Sequence, residues 1–215
     1  MNGTKLMGKI DVQVAIKTGK GGNRNKGQDN RRGEMLDVAA RFFSRHGFAG
    51  ASIRDIASEV GVQPSSLYYF FKSKEDLFAA VYEKGVDEII AAVSKATAKA
   101  GTPWARLEQA ATGHLQALLS SDDYNTLVAN IVPRGSSDFD KRLIQHRDSY
   151  EKIFVDLIAA LPLPPRTDRQ LLRLTMLGAL NGVVNWYRPG GASPASIARK
   201  IVKLFRLQLD PDAGR

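Results

Sequence analysis

The sequence predicts an all-α protein of nine helices. Three observations carry that prediction. Apolar residues recur at the three- and four-residue spacing of a helix face from about residue 31 onward. Capping residues stand ahead of these stripes, and Gly or Pro closes most of them. The alternating run Ile10, Val12, Val14, Ile16 is the one strand-like signal, and it has no partner strand to pair with.

The elements follow in order. Residues 1–30 read as a disordered basic arm, because the Gly-rich stretch Gly19–Gln28 cannot bury enough surface to offset its ordering entropy. The first helix starts near Arg31, is striped by Leu36, Ala39, Phe42, Phe43 and His46, and ends at Gly47. Ser52 caps a short second helix with Ile53, Ile56, Ala57 and Val60 inside, and Gly61 breaks it. Pro64 opens a third, with Leu67, Phe70 and Phe71 behind it. Ser73 caps a long fourth helix reaching about Ala100. Thr102-Pro103 opens a fifth, to about Leu119. A short sixth lies near Tyr124–Ile131, and a seventh of about 22 residues ends at Pro162. Thr167 caps an eighth that reaches Trp186, and Ser193-Pro194 opens the last. Trp104 and Trp186 are expected in the core.

Composition excludes several functions. The chain has 215 residues and 43% hydrophobic content, enough for a core, and no cysteine. Disulfides, thiolate catalysis and cysteine-based metal sites are therefore excluded. Three histidines are too few for a histidine-rich metal centre, so no metal is expected, and no cofactor. No run approaches 18 apolar residues, so no membrane span is expected. The basic N-terminus lacks the apolar core of a secretory signal, and the chain reads as cytoplasmic. The net charge is +9, which points to a polyanion. Residues 1–33 carry eight basic residues against Asp11 and Asp29, so most of the excess sits in the arm.

Residues 52–71 form two short helices joined by a Gly-containing turn, a helix-turn-helix pattern. The second of them begins Gln63-Pro64-Ser65-Ser66, small polar side chains suited to meeting base edges in a major groove. The runs Ala39–Phe48, Ala51–Ala57, Gly61-Val62 and Leu67–Leu77 then resemble, without a gap, the signature of the TetR/AcrR family of transcriptional regulators. The resemblance covers Arg32 to Phe78. It implies an all-α homodimer of TetR-like fold. Its helix-turn-helix DNA-binding domain would span 31–76, and a ligand-binding and dimerisation domain 77–215.

The resemblance also implies roles for single residues. Ser52 matches a phosphate contact and Arg54 a position that reaches a guanine, which the guanidinium can bond at O6 and N7. Gln63, Pro64, Ser65 and Ser66 match the base-reading start of the third helix. Tyr68 and Tyr69 match phosphate and thymine-methyl contacts, and Lys74 a phosphate contact at the fourth helix. Phe70 stands where the family often has His, and Pro64-Ser65 replaces a common Lys-Gly pair. Both departures make the base-reading surface small and uncharged. On the residues alone, the two tyrosines could be packing groups and Arg54 a solvated face. The arm could contact DNA, be a solvated tail, or follow from an upstream start codon, since Met7 offers another.

In the C-terminal half, Asn185-Trp186-Tyr187-Arg188-Pro189-Gly190-Gly191 resembles a subset of the family tied to lipid, fatty-acid or steroid catabolism. In that subset the effector is often an acyl-CoA thioester. Candidate effector-binding groups are His114, Arg134, His146, Tyr150 and Asn185, each with a structural role as its alternative. Gly178 and Gly182 permit close helix approach in a dimer. The function expected is a repressor released from a palindromic operator by a small hydrophobic or acyl-CoA effector. The alternatives are a DNA-bound scaffold that recruits a protein, and an enzyme with a DNA-binding module. No nucleophile–base constellation supports the enzyme.

Overall fold

Local capping chemistry sets most helix starts. The computed structural model describes residues 24–98, 101–120, 123–130 and 137–210. Among these residues there are nine α-helices, one 3₁₀ turn and no strand. Helix α1 (Arg24–Gly50) begins at Arg24 rather than near Arg31. Part of the expected arm is therefore helical, since extending a helix already nucleated by the apolar stripe costs far less than starting one. Residues 1–23, the rest of the arm, lie outside the described residues. The helical path of α1 breaks at Gly47, whose φ of 68° is left-handed.

Helix α2 (Ile53–Val60) is capped by Ser52, whose hydroxyl accepts from Asp55 N, and closed by Gly61 at φ 75°. Helix α3 (Pro64–Phe70) follows, with Pro64 in its first turn. Ser73 accepts from Asp76 N and starts α4 (Lys74–Thr97). Thr102 does the same for α5 (Pro103–Leu118) through Ala105 N. Helix α6 (Asp123–Asn130) is short. Helix α7 (Asp138–Ala159) opens with a reciprocal capping box between Ser137 and Asp140. Helix α8 (Arg169–Gly182) is capped by Asp168, not by Thr167, and ends in a 3₁₀ turn (Val183–Asn185) rather than running to Trp186. A carboxylate is the stronger acceptor for the Leu171 N–H, which it meets at 2.9 Å. Helix α9 (Pro194–Leu209) closes the chain.

Helix α1 packs on α4 and on α2, α2 packs on α3, and α4 runs on to pack against α5, α6 and α7. One continuous apolar core extends from Met35 in α1 to Val202 in α9. Helix α4 is thus a shared strut between the two halves. Its Gly85 lets α6 approach closely: a Cβ there would meet Val128 Cγ2 at 2.8 Å and Tyr124 O at 3.0 Å. Trp104 is buried as expected. Trp186 is not: it is 56% exposed, because the chain leaves the helix before reaching it.

Candidate nucleic-acid interface and regulatory domain

Helix α3 is held by its inner face and presents its outer one to solvent. Leu67 is fully buried, as is Ala57 of α2. The turn between the helices is closed by Val62 N donating to Ala57 O at 2.9 Å. With Leu67 fixed inward, the helical repeat turns Gln63 and Ser65 to solvent and leaves Pro64 and Ser66 half-buried. Tyr68 and Tyr69 are 53% and 73% exposed, far beyond what a packing role would leave. Phe70 supports Tyr69 edge-to-face, with ring centroids 5.1 Å apart. Arg54 and Ser52 are exposed on the same module. The Ser52 hydroxyl also donates to Asp55 Oδ2 at 2.6 Å, so its capping role is in place without DNA. From α1, the Arg32 guanidinium lies over the Phe71 ring, adding a cation beside the end of α3.

Lys74 is engaged within the protein rather than projecting outward. Its ammonium donates to Phe48 O at 2.9 Å and Ala51 O at 3.0 Å, and sits 4.3 Å from the Phe48 ring centroid. The break at Gly47 leaves the carbonyls of the following loop without helical partners, and a cation satisfies them. In the DNA-free protein Lys74 thus clamps the α1–α2 loop. Lys74→Met is expected to lower folding stability by about 1–3 kcal/mol, the cost of stranding two carbonyls. The salt dependence of DNA binding should hardly change. Urea unfolding and operator titrations at several salt concentrations check both. Wild-type stability with a shallower salt slope would restore the phosphate role.

The DNA-binding module is tied to the C-terminal domain at the start of α4. Arg142 of α7 reaches Asp76 Oδ1 at 2.7 Å and Glu83 Oε1 at 2.5 Å. The other Asp76 oxygen accepts from Lys72 N, in the turn just after α3, at 3.0 Å. Burial would raise the Asp76 carboxyl, but Arg142 and the Lys72 N–H together hold it below its ordinary value. Phe139, one turn before Arg142, stacks on Phe48 and meets Phe78 edge-on. On the other side, Asp37 of α1 accepts from Lys84 of α4 and Tyr124 of α6 at 2.8 and 2.6 Å.

The proposed effector residues separate. His146 is half-exposed and faces Glu83, Nε2 to Oε1 3.1 Å, in the same α4–α7 ion-pair group as Arg142. That is a surface position, not a pocket. Asn185 is exposed, with its amide directed back to Gly182 O. Arg134 lies outside the described residues. His114 and Tyr150 do come together: both are buried, and Tyr150 Oη lies 2.6 Å from His114 Nδ1. Burial pulls the His114 imidazole down from 6.5 to about 4, against a smaller opposing influence of Asn181. Burial likewise pushes the Tyr150 phenol up.

This depressed histidine has a consequence for folding. Unfolded, it takes up a proton as pH falls through about 6.5; folded, it resists until about 4. Between those values the unfolded state binds more protons, so stability falls as pH falls. Wild type should lose up to about 3 kcal/mol from this residue between pH 7 and pH 4. Comparing urea unfolding of wild type and H114F across that window checks it: the variant's curve should be flatter, and parallel curves would refute the assignment.

An open groove of about 500 Å³ lies between the α7–α8 connection, α8 and α9. Leu171, Leu172, Phe205 and Leu209 floor it, with Arg166 and Asp168 among its polar residues. Beside it α8 exposes Leu174 and Gly178, and α9 exposes Leu204 and Leu207. An added Cβ at Gly178 or Gly182 would meet nothing within 4 Å, so neither glycine serves packing inside the protomer. Among the described residues no cluster could hold a metal ion, and no helix is long and apolar enough to cross a membrane.

A helix-turn-helix with an outward-facing recognition helix, strutted to a larger helical domain, defines a DNA-binding transcriptional regulator. Comparison with known proteins makes this specific. Residues 35–81 match the family model for bacterial regulatory proteins, tetR family, and residues 100–209 that for a tetracyclin repressor-like C-terminal domain. The chain belongs to the TetR family of bacterial regulatory proteins. Its relatives in that family are regulators, not enzymes. The HTH-type transcriptional repressor KstR2 of Mycobacterium tuberculosis (strain ATCC 25618 / H37Rv) is 29% identical over 178 residues, covering 79% of this chain and 88% of the relative. KstR2 of Rhodococcus jostii (strain RHA1) is 26% identical over 174 residues, covering 77% and 84%. Among solved structures, the ketosteroid transcriptional regulator KstR2 of M. tuberculosis matches with TM-score 0.66 and 23% identity, over 83% of this chain and 94% of that one. AibR in complex with isovaleryl coenzyme A and operator DNA matches with TM-score 0.71 and 18% identity, over 81% and 97%. These two structural likenesses concern the fold.

Proposed function

We propose that the protein is a homodimeric transcriptional repressor that holds a palindromic operator and releases it when its C-terminal domain binds a hydrophobic or acyl-CoA effector. The observation that carries the DNA half is the outward face of α3, where Gln63, Ser65, Tyr68 and Tyr69 stand exposed over a buried Leu67. Two such helices, placed by a two-fold axis, read half-sites one helical turn apart. With no charged side chain in Gln63–Tyr69, affinity falls to cations around it, Arg54 and Arg32 among them. DNA of this kind places the protein's work in the cytoplasm.

The apolar stripes of α8 and α9 support the dimer, since patches of this kind mark association surfaces. Support for the effector class comes from the Asn185–Gly191 run, from the likeness to KstR2, and from the coenzyme A thioester in the AibR complex. The route from effector to DNA runs through α7. A shift of α7 against α4 moves Arg142 and Phe139, and through Asp76 and Lys72 the turn that follows α3. The effector acts only as far as it prefers the state that cannot bind DNA.

The test starts from an operator selected out of random duplexes, which should be near-palindromic. It is then titrated with acyl-CoAs of increasing chain length. Loss of DNA affinity over part of that series supports the reading, and unchanged affinity across it removes the thioester.

A further inference from the structure

Inside the C-terminal domain, His114 is a polar side chain that its own packing leaves incomplete. It is 2% exposed, on α5, with Tyr150 and Phe154 of α7 against its ring. Tyr150 Oη satisfies Nδ1 at 2.6 Å. Nε2, equally buried, has no hydrogen-bond partner. Such an orphan is costly to bury and calls for an explanation.

Counting protons assigns the tautomer. If Nδ1 carried the hydrogen and donated to Tyr150, the phenol hydrogen would be left without an acceptor in a buried place, and bare Nε2 without a donor. If Tyr150 donates to Nδ1, one group alone is left over, the Nε2–H. The second arrangement strands fewer groups. The imidazole is also held neutral by burial. What remains is an uncharged N–H donor in an apolar surround. Asn181 of α8 also acts on the ring, though Nε2 forms no hydrogen bond of normal geometry with it or with any other group. Asn181 itself is exposed on α8, between Gly178 and Gly182, next to which a Cβ would meet nothing.

We infer that His114 Nε2–H reads the effector, donating to a neutral carbonyl oxygen (ketone, ester or thioester) and selecting against a carboxylate at that point. A carboxylate there would be a buried charge facing an uncharged donor, whereas a carbonyl completes the orphan without adding charge. Tyr150 is the positioning residue: its hydroxyl sets the tautomer. The inference rests on the effector reading above, and the two can fail separately.

The experiment uses the full-length dimer, labelled with ¹⁵N. The chain has three histidines, so the imidazole nitrogens are readily assigned. His114 should appear neutral and in the Nε2–H form. Octanoyl-CoA and 2-octanone supply the carbonyl; S-octyl-CoA, which lacks it, and octanoate are the comparators. The carbonyl probes should shift the His114 Nε2 resonance, and the comparators should leave it in place. Binding of the carbonyl probes to H114L should weaken about tenfold, the loss of one net hydrogen bond, and H114Q should recover part of it by restoring an N–H. Y150F removes the donor that fixes the tautomer and should weaken the carbonyl preference. An Nδ1–H tautomer in wild type overturns the inference. So does an Nε2 signal that no carbonyl probe moves, or that octanoate moves equally. Release of operator by a probe that leaves His114 untouched keeps the effector reading and discards this one. A His114 response without operator release does the reverse.

Discussion

Arg54→Ala is expected to cost about 1–3 kcal/mol per half-site and to relax preference at one base pair in each. A dimer carries the change twice, so operator affinity should fall by about 2–6 kcal/mol, roughly 30-fold to 10⁴-fold. The size follows from the composition of the recognition face. Gln63, Pro64, Ser65, Ser66, Tyr68 and Tyr69 include no cation, and Lys74 is occupied by the Phe48 and Ala51 carbonyls. Arg54 is therefore expected to carry a larger share of the contact than it would beside a basic recognition helix. Tyr69→Ala should act differently, removing an exposed aromatic ring that the proposed reading sets against a thymine methyl, with a smaller loss of affinity and a loss of selectivity at that pair. Titrations on the selected operator and on a scrambled duplex, at two salt concentrations, separate these effects. If Arg54→Ala lowered affinity equally on both duplexes, the side chain would be a phosphate contact. Wild-type binding by both variants would mean that this face is not the one that reads DNA.

Leu204→Glu is expected to break the dimer. Leu204 is 67% exposed in the protomer, and Leu171, Leu174 and Leu207 are half or more exposed on the same pair of helices. Burying one leucine is worth about 1.5–3 kcal/mol, and the two-fold axis doubles it, so the dimer should weaken by about 3–6 kcal/mol before the cost of the buried carboxylate is added. That is at least about a hundredfold in the dimer dissociation constant. Gly178→Leu is the sharper probe. An added side chain meets nothing within the protomer, and leucine favours the helix over glycine, so monomer stability should hold or rise. If association nevertheless weakens, the two α8 helices approach closely at Gly178. Sedimentation equilibrium reads the first quantity and urea unfolding the second. A Gly178→Leu protein that dimerises like wild type would move the interface away from α8. Operator binding should fall with dimerisation in each case, because one half-site contributes only half of the contacts.

Much of this protein was legible in local sequence. Ser52, Ser73, Ser193 and Gly61 do in the fold what their residue types do anywhere, because a cap or a left-handed turn depends on a few neighbouring atoms. The recognition helix was legible for the same reason: Leu67 buried and Tyr69 outward are two points on one helical repeat. The start of α1 was less so, since its polar first turns carry no apolar stripe and draw their helicity from the stripe that follows.

What only the tertiary structure decided concerns partners far apart in the chain. Lys74 carries the residue type of a phosphate contact, yet its ammonium goes to a loop that ends more than twenty residues earlier. His114 and His146 looked alike in sequence; one pairs with Tyr150 in the core and the other with Glu83 at the surface. Helix α8 has leucines all round, at 171, 172, 174, 177 and 180, so its periodicity could not say which face turns inward. Packing against α5, α7 and α9 decided that, burying Leu172, Leu177 and Leu180 and leaving Leu171 and Leu174 outside. A helix's existence follows from its own residues, but its rotation about its axis is chosen by the helices that surround it. On that rotation depend which polar groups meet, which apolar ones await a second chain, and where a ligand can be read.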